Sequence, residues 1–407
     1  MKCRHCDTPL ALSLIDLGSA PPSNAYLNAA RLHQPELWYP LRVLVCESCW
    51  LAQTEDFARA DELFAGDYAY FSSYSTSWLA HARRYVADMT RRLNLGAASQ
   101  VVEVAANDGY LLRYVRDAGI PCYGIEPTTS TAAAARALGL EIVERFFGTA
   151  LARELAGAGR QADLIAANNV LAHVPDINDF VAGFALLLKP GGVATFEFPH
   201  LLRLLAESQF DTIYHEHYSY LSLTSVTRIF AANGLRVFDV DELTTHGGSL
   251  RVFAQRAHGP HPIAPAVAAM LDCEDRAGLT RRDAYLELQA RAETIKNDLL
   301  RFLIDCHDRG ERVAAYGAAA KGNTLLNFAG VRADLLPWVV DRNPHKQGQY
   351  LPGSRIPIVG EDRLWAQRPD HVLILPWNLR DEVGTQLAAI RDWGGRFVTA
   401  VPELAVW

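Results

Sequence analysis

Two Cys-x-x-Cys pairs, Cys3/Cys6 and Cys46/Cys49, stand near the start of this 407-residue chain. Four thiolates presented by two short turns make the closed tetrahedral ligand set that a structural zinc ion takes. The segment between the pairs contains several prolines and has little periodicity. Redox pairs or ordinary reduced cysteines are the alternatives, but a redox Cys-x-x-Cys stands in a strand–helix context. We therefore predict a structural zinc ion, with no coordination position left open for catalysis.

Composition restricts the classes of function. The formal net charge is -7 at pH 7, 50% of residues are hydrophobic and 21% are charged, which is typical of a soluble globular protein of several domains. This acidic balance gives no general attraction to phosphate polymers, so we expect no nucleic-acid partner. No apolar run approaches the roughly 20 residues of a membrane span, and the amino terminus lacks a signal-peptide apolar region. Together with the zinc-type cysteine pairs, these features predict a cytoplasmic protein, which we expect to be a monomer.

From residue 101 onward, short apolar runs alternate with helix-length segments. This alternation predicts a doubly wound parallel α/β sheet. A proline-rich break at 258–265 is followed by a long polar helix pattern and a second α/β series. We therefore predict a zinc-binding domain at 1–66, a cofactor-binding α/β domain at 67–258 and a Rossmann-like domain at 259–407. The predicted strands are 101–104, 121–125, 162–166 and 193–198 in the first series, and 313–316, 336–340, 371–375 and 396–401 in the second.

The first α/β series carries acidic residues in and after its strands. Glu103 lies inside the first predicted strand, and the following turn leads into a helix, where backbone N–H groups can approach a ligand. Glu126 ends the second strand, a position from which a carboxylate accepts hydrogen bonds from ribose hydroxyls. The absence of Gly-x-Gly-x-x-Gly argues against a dinucleotide. A solvated strand end for Glu103 and a helix N-cap for Asp108 are the alternatives. The predicted cofactor-binding residues are Glu103, Asn107, Asp108, Gly109, Glu126 and Asn168.

The segment Tyr214-His-Glu-His-Tyr-Ser-Tyr220 is the densest group of proton carriers in the chain. Its imidazole, carboxyl and phenol groups cover a range of pKa values suited to general acid–base chemistry. A second metal site and a structural hydrogen-bond network are the alternatives. Asn169 and His173 follow the fourth predicted strand, and open α/β sheets bind ligands at the carboxyl ends of their strands. Tyr68 and Tyr70, in the connecting aromatic segment, are predicted to close over this site.

Lys189-Pro-Gly-Gly192, before the fifth strand, completes a succession that resembles the class I S-adenosylmethionine-dependent methyltransferases. The four-cysteine module, the 214–220 cluster, His246-Gly-Gly-Ser-Leu-Arg251 and the second α/β domain make essentially the full length similar to the nucleotide-sugar C-methyltransferases. The resemblance implies S-adenosyl-L-methionine as the cofactor. It also implies methylation at C3 of a 4-keto-6-deoxysugar carried on a nucleoside diphosphate, commonly dTDP.

The same resemblance implies roles for the clustered residues. His217 would be the base that removes the C3 proton, and Tyr214 and Glu216 would orient the sugar or tune His217. His173 or Tyr68 would face the ketone oxygen. The residues expected to contact the substrate near this centre are Tyr70, Asn169 and His246.

The turn that begins at Gly317, between a strand and a helix, is built from small residues and ends at Lys321. Such a turn permits phosphate contact with backbone N–H groups, and Lys321 adds a positive charge. We predict that this domain binds the diphosphate and nucleoside through Lys321, Asn323, Asp341 and Lys346; a purely structural domain is the alternative. For the whole chain, the competing functions are an O- or N-methyltransferase acting on another small molecule and an RNA-binding or adaptor protein. The acidic balance counts against the last of these.

Overall fold

The computed structural model describes residues 1–57 and 71–407, and these residues form three β-sheets. Tyr68 and Tyr70, which were predicted to close over the reactive cluster, lie outside the described residues. None of the helices in the described part of the chain has the length and hydropathy of a membrane span.

The amino-terminal sheet is antiparallel. Its strands, in spatial order, are β1 (Leu12–Ala20), β2 (Tyr39–Val45), β3 (Ala52–Thr54) and β9 (Ser219–Tyr220). Sequence periodicity did not indicate β1 or β2, because register shifts within their pairing interrupt the alternation of buried and exposed residues. Strand β9 comes from the middle of the chain and pairs with β3. This sheet therefore holds the end of the predicted reactive cluster.

The middle sheet contains the first predicted α/β series. Its order is β10-β11-β8-β7-β4-β5-β6, parallel from β8 to β6, with β11 antiparallel to both of its neighbours. All four predicted strands are present, with bounds shifted by a few residues. The strands are β4 (Val101–Val104), β5 (Cys122–Ile125), β6 (Ile142–Val143), β7 (Ala162–Asn168), β8 (Leu188–Pro199), β10 (Leu235–Leu243) and β11 (Ser249–Arg256). The accompanying helices are α1 (Thr76–Arg92), α2 (Leu112–Asp117), α3 (Thr129–Ala137), α4 (Thr149–Gly157), α5 (Ile177–Leu187), α6 (Leu201–Ala206) and α7 (Leu223–Ala232).

Helix α8 (Pro265–Arg276) follows the proline-rich break. Its Val267 and Met270 are buried in the core of the middle sheet. Its Glu274 carboxylate accepts hydrogen bonds from the backbone N–H groups of Leu223 (2.6 Å) and Thr224 (2.8 Å) at the start of α7. The predicted boundary at 258 therefore separates this helix from the sheet against which it packs.

The carboxy-terminal sheet contains the second predicted series, in the order β14-β13-β12-β15-β16-β17, with only the edge strand β17 antiparallel. The strands are β12 (Val313–Tyr316), β13 (Val339–Val340), β14 (Ile358–Val359), β15 (His371–Ile374), β16 (Arg396–Thr399) and β17 (Ala405–Val406). The long polar pattern before it forms helix α9 (Leu288–Asp308), and the later helices are α10 (Ala320–Ala329), α11 (Glu361–Gln367) and α12 (Arg380–Gln386).

One hydrophobic core joins the amino-terminal and carboxy-terminal sheets. Leu14 and Val43 of the first sheet belong to the same buried cluster as Leu299 and Leu303 of α9 and Val313 of β12. The first module therefore completes the core of the last domain, although the two are far apart in sequence.

Candidate active site

The four cysteines meet at one point. The Sγ atoms of Cys3 and Cys49 are 3.5 Å apart, those of Cys6 and Cys46 are also 3.5 Å apart, and all four lie within 4.8 Å of one another. Zn–S bonds of about 2.3 Å put tetrahedral sulfur atoms about 3.8 Å apart, so the set fits zinc. The Gln53 amide donates to Cys3 Sγ (3.3 Å), a bond that favours a thiolate.

The two cysteine turns have the same backbone form. Asp7 N–H donates to the Cys3 carbonyl (3.0 Å), and Trp50 N–H donates to the Cys46 carbonyl (2.8 Å). Both donors are non-glycine residues in the left-handed region, with φ of 58° and 61°. The two turns therefore present their cysteines in the same way. The short distances between the four Sγ atoms make them one ligand set.

The turn after β4 differs in shape from an ordinary strand–helix connection. Ala105, Asn107 and Gly109 have φ of 60°, 48° and 78°, so alternate residues adopt the left-handed conformation. Ala105 is strained there, since an alanine rarely takes this conformation. Glu126, at the end of β5, holds the turn: its carboxylate accepts from the N–H groups of Asn107 and Thr128, each at 2.9 Å.

Three carboxylates gather at this edge of the sheet, from Glu103, Asp108 and Glu126. Glu103 is only 1% exposed, so the solvated strand end considered for it is wrong. Burial raises its pKa, and the charges of Asp108 and Glu126 raise it further. None of the three forms an ion pair with another described residue. The three side chains therefore lie close enough to interact at the strand ends where the cofactor site is predicted.

Two serines that the sequence did not indicate as site residues bind the side chains of the turn after β4. Ser72 N–H donates to Asn107 Oδ1 (2.9 Å), and Ser73 binds the Asp108 carboxylate through its N–H (3.0 Å) and through a short hydroxyl contact. Asp108 therefore binds this connecting segment rather than capping its own helix. The hydroxyl-rich composition of 72–77 was the signal that could have indicated this contact.

His217 lies at the centre of the reactive cluster. Its Nδ1 is 2.9 Å from the Thr212 carbonyl, so Nδ1 carries the proton and Nε2 has a free lone pair. The His173 ring is oriented in the same way, because its Nδ1 is 2.8 Å from the Glu216 carbonyl. The ring centroid of His217 is 4.6 Å from that of His173 and 4.0 Å from that of Tyr214. Burial is the main cause that lowers the pKa of His217 well below its usual range, and His173 adds to it.

The other members of the cluster turn toward the amino-terminal module. Glu216 accepts a short hydrogen bond from the side-chain amide of Asn24, and burial raises the pKa of this carboxyl to about 7. His215 Nε2 is 3.2 Å from the carbonyls of Tyr39 and Pro40. Among the described residues, the groups with metal-ligand geometry are the four cysteines and Cys306/Glu311/His371. The alternative of a metal at the histidine cluster is therefore wrong for the described part of the chain.

Asn169 and His246 meet beside this cluster, with Asn169 Nδ2 3.2 Å from His246 Nε2. Both residues have positive φ, 52° and 55°, and the ring centroid of His246 is 5.2 Å from that of Trp78. Burial lowers the pKa of His246 to about 4. Asn168, the preceding residue on β7, is itself buried at the strand end.

A buried ionic network centred on Glu197 lies next to the turn that carries His246. The Glu197 carboxylate accepts from His81 Nε2 and Arg251, each at 2.9 Å, and from Thr245 Oγ1 at 3.1 Å. Sequence reasoning missed Glu197, although an acidic residue inside an apolar strand pattern was a visible signal. Because Thr245 precedes His246, this carboxylate fixes the turn that carries the histidine.

The predicted nucleotide-binding residues lie in three places. Lys346 Nζ donates to the Ala318 carbonyl (2.7 Å), and the Asp341 carboxylate accepts from Ala318 N–H (2.8 Å), so these two hold the turn after β12. Asn323 is 1% exposed and donates to the Ser23 carbonyl (2.6 Å), inside the contact with the first module. Lys321 donates to Asn378 (2.7 Å), which follows β15 in the same domain.

Comparison with known proteins identifies the family. Three family profiles match in order: "Putative zinc binding domain" at residues 3–64, "Methyltransferase domain" at 78–240 and "C-methyltransferase C-terminal domain" at 244–402. The C-methyltransferase NovU of Streptomyces niveus is 35% identical over 402 residues, which cover 99% of this chain and 96% of the relative. The chain belongs to the C-methyltransferase family. It is an S-adenosylmethionine-dependent C-methyltransferase with a structural zinc site, as the sequence predicted.

Two solved structures each align with less than half of this C-methyltransferase. The PH0226 protein of Pyrococcus horikoshii OT3 is 14% identical with a TM-score of 0.39, covering 47% of this chain and 96% of its own. Magnesium protoporphyrin IX methyltransferase of Synechocystis PCC 6803 is 16% identical with a TM-score of 0.36, covering 44% and 83% respectively. The family assignment rests on the profiles and the full-length relative.

Proposed function

We propose that this C-methyltransferase methylates C3 of a 4-keto-6-deoxysugar carried on a nucleoside diphosphate, with His217 as the base. One observation carries the proposal: His217 donates its Nδ1 proton to the Thr212 carbonyl and so presents an unprotonated Nε2. A carbon next to a ketone is acidic enough for an imidazole to deprotonate it, which gives a C-methyltransferase the carbon nucleophile it requires. We further propose a dTDP-linked substrate and a monomeric enzyme.

In the proposed step, His217 Nε2 takes the C3 proton. The C–H electron pair becomes the C3–C4 double bond, and the carbonyl π pair moves onto the ketone oxygen. When bound, S-adenosylmethionine would supply an electrophilic sulfonium methyl group to the nucleophilic C3, and the ketone would re-form from the enolate. Glu126, Glu103, Asn107, Asp108, Gly109 and Asn168 would hold this cofactor at the ends of β4, β5 and β7.

The surrounding residues would position the sugar. Tyr214 and His173 flank His217 closely, and Asn169 and His246 form one wall beside them. Glu216 supports the cluster through Asn24, and the turn held by Asp341 and Lys346 is the proposed site of the nucleoside diphosphate. Tyr68 and Tyr70 remain predicted sugar contacts outside the described residues.

Hydrogen exchange at C3 tests the base. Wild-type enzyme with S-adenosylhomocysteine and a dTDP-4-keto-6-deoxysugar should exchange the C3 hydrogen with deuterated solvent, followed by NMR. His217→Asn keeps a side chain of similar shape and should lower both exchange and turnover by about 10²–10⁴-fold.

His215→Asn is the matched control, since that ring binds the carbonyls of β2 rather than facing the cluster. Exchange at the native rate in His217→Asn would assign the base to another group. Methyl transfer by wild-type enzyme to an oxygen or nitrogen of this substrate, without C3 exchange, would replace the proposed reaction itself.

A further inference from the structure

Lys321 extends from the carboxy-terminal domain into the contact with the middle domain. It stands in the first turn of α10, and its Nζ donates to Asn378 Oδ1 at 2.7 Å. The ammonium also lies 4.5 Å from the centroid of the Trp377 ring. These two contacts direct the charge away from the Asp341/Lys346 side of the preceding turn.

Trp377 places this charge beside the catalytic cluster. Its ring packs on Gly247 so closely that a Cβ there would lie 2.5 Å from the ring. Its Nε1 donates to Asp211 Oδ2 at 2.7 Å, one residue before the Thr212 carbonyl that orients His217. The Lys321 ammonium therefore borders both the turn that carries His246 and the segment that orients His217.

The Lys321 ammonium has no bonded counterion among the described residues. Lys321 forms no ion pair with any described carboxylate, and the other Asp211 oxygen, Oδ1, is buried without a hydrogen-bond partner among the described residues. Burial lowers the pKa of Lys321, and Asp211 opposes that effect only at a distance. A methionine would fill such an interface without this desolvation cost, so a purely structural role leaves the charge unexplained.

We propose, building on the proposed function, that Lys321 is a catalytic residue that donates a hydrogen bond to the substrate's ketone oxygen as negative charge develops there. The base and this donor must act on adjacent atoms, the C3 hydrogen and the C4 oxygen. Burial is the main cause that lowers the pKa values of His217 and His246, and the positive charge of Lys321 lowers both further. Because a fixed donor strengthens its contact only as the oxygen becomes an anion, Lys321 lowers the barrier rather than tightening ground-state binding.

This role differs from the diphosphate contact predicted for Lys321. A diphosphate is equally charged before and during the reaction, so a lysine bound to it affects KM and leaves kcat in place. Lys346 lies on the other side of Ala318, 3.9 Å from Asp341, and is the better-placed lysine for that task.

The test compares Lys321→Met, Lys321→Arg and Lys346→Met in the full-length zinc-bound enzyme. The control is Lys296→Met, because Lys296 lies on α9 and its ammonium is over the Phe328 ring of α10. Thermal melting and S-adenosylhomocysteine calorimetry establish that each variant folds. Lys321→Met should lower kcat and C3 exchange together by about 10²–10³-fold with KM nearly unchanged, as for loss of one oxyanion donor. Lys321→Arg should retain part of that activity, and Lys346→Met should raise KM with kcat retained.

The pH profile gives an independent reading. Without the ammonium, the pKa of His217 rises, so the acid limb of C3 exchange should move to higher pH in Lys321→Met. Native kcat with a raised KM in Lys321→Met would assign Lys321 to the diphosphate and overturn the proposal, as would full C3 exchange in this variant. If wild-type enzyme exchanges no C3 hydrogen, the proposed function fails first, which separates the two outcomes.

Discussion

Burial determines the protonation states of the clustered residues. His217 and His173 have lowered pKa values mainly because burial disfavours their charged forms, so both rings are neutral at pH 7. Each ring donates a hydrogen bond from Nδ1 to a backbone carbonyl, which leaves Nε2 as the unprotonated nitrogen. Glu216 shifts in the opposite direction, because burial disfavours its anion. The same physical cause thus produces neutral bases beside a carboxyl that is partly protonated at pH 7.

Glu216 makes stability depend on pH. Its pKa is raised from 4.5 to about 7, so its favourable contribution is present below pH 4.5 and is lost as pH rises through 7. Glu216→Gln should therefore raise the free energy of unfolding at pH 8 by about 1–3 kcal/mol and change it little at pH 4.5. Urea unfolding at the two pH values measures this. A stability difference independent of pH would contradict the assignment.

Glu126 is expected to hold the cofactor ribose as well as its own turn. Glu126→Ala should weaken S-adenosylmethionine binding by about 1.5–3 kcal/mol, the range for hydrogen bonds to a charged group. Isothermal calorimetry measures the affinity, and Glu141→Ala provides an exposed carboxylate control on the neighbouring loop. Equal affinities in the two variants would remove Glu126 from the cofactor site.

At the scale of elements, strand β3 connects the zinc site to the segment of the proposed base. It follows the second cysteine pair directly and pairs with β9, the strand that comes immediately after the reactive histidines. Thr54, its last residue, donates its hydroxyl proton to the His217 carbonyl (3.0 Å) and its N–H to the Tyr218 carbonyl (3.1 Å). The zinc ion is thus structural, yet the strand it anchors fixes the backbone of the proposed base.

We therefore expect zinc loss to reduce catalysis. Cys3→Ser/Cys46→Ser should bring the zinc content from about one equivalent to near zero. Turnover should fall by roughly 10²-fold or more, because small displacements of a catalytic group have effects of that size. Atomic absorption and C3 exchange measure the two quantities, with Cys273→Ser as the control. Full activity in the metal-free variant would show that β3 does not position His217.

At the scale of the whole molecule, the first module and the last domain are one packing unit. Strands β1 and β2 share a buried core with α9 and the carboxy-terminal sheet. The segment after β1 adds polar contacts, since the Tyr26 hydroxyl donates to the Ala318 carbonyl at 2.6 Å. The geometry of the proposed active site therefore depends on how these parts of the chain pack.

Hydrogen exchange by mass spectrometry can test this coupling. Removing zinc with a chelator should raise amide exchange in α9, around Ile295, Leu299 and Leu303, because the sheet that covers these side chains loosens. Helix α4, on the middle domain, should keep its protection. A rise confined to residues 1–57 would mean that the module unfolds independently of the last domain.

Features that depend on residues close to one another in the sequence could be predicted from the sequence. The zinc ligands follow from cysteine spacing, and both α/β series follow from apolar runs of strand length. Glu103, Asp108 and Glu126 were predicted to bind the cofactor from their places in the first strand, the following turn and the end of the second strand, and that role stays a prediction. Strands β1 and β2 were missed because their register shifts hide the period of two.

Other features were decided only by tertiary contacts between distant residues. Asn24 binds Glu216, and Ser73 binds Asp108, but neither pairing leaves a periodic trace in the sequence. A lysine after a small-residue turn is compatible with a diphosphate contact and with the ketone contact proposed for Lys321, so the sequence could not distinguish the two. The direction of this side chain depends on Trp377 and Asn378, which follow β15 and reach Lys321 because β15 pairs with β12. The sequence by itself determined the chemistry available to this protein, whereas domain packing determined which groups face one another, because contacts across the chain depend on the whole core.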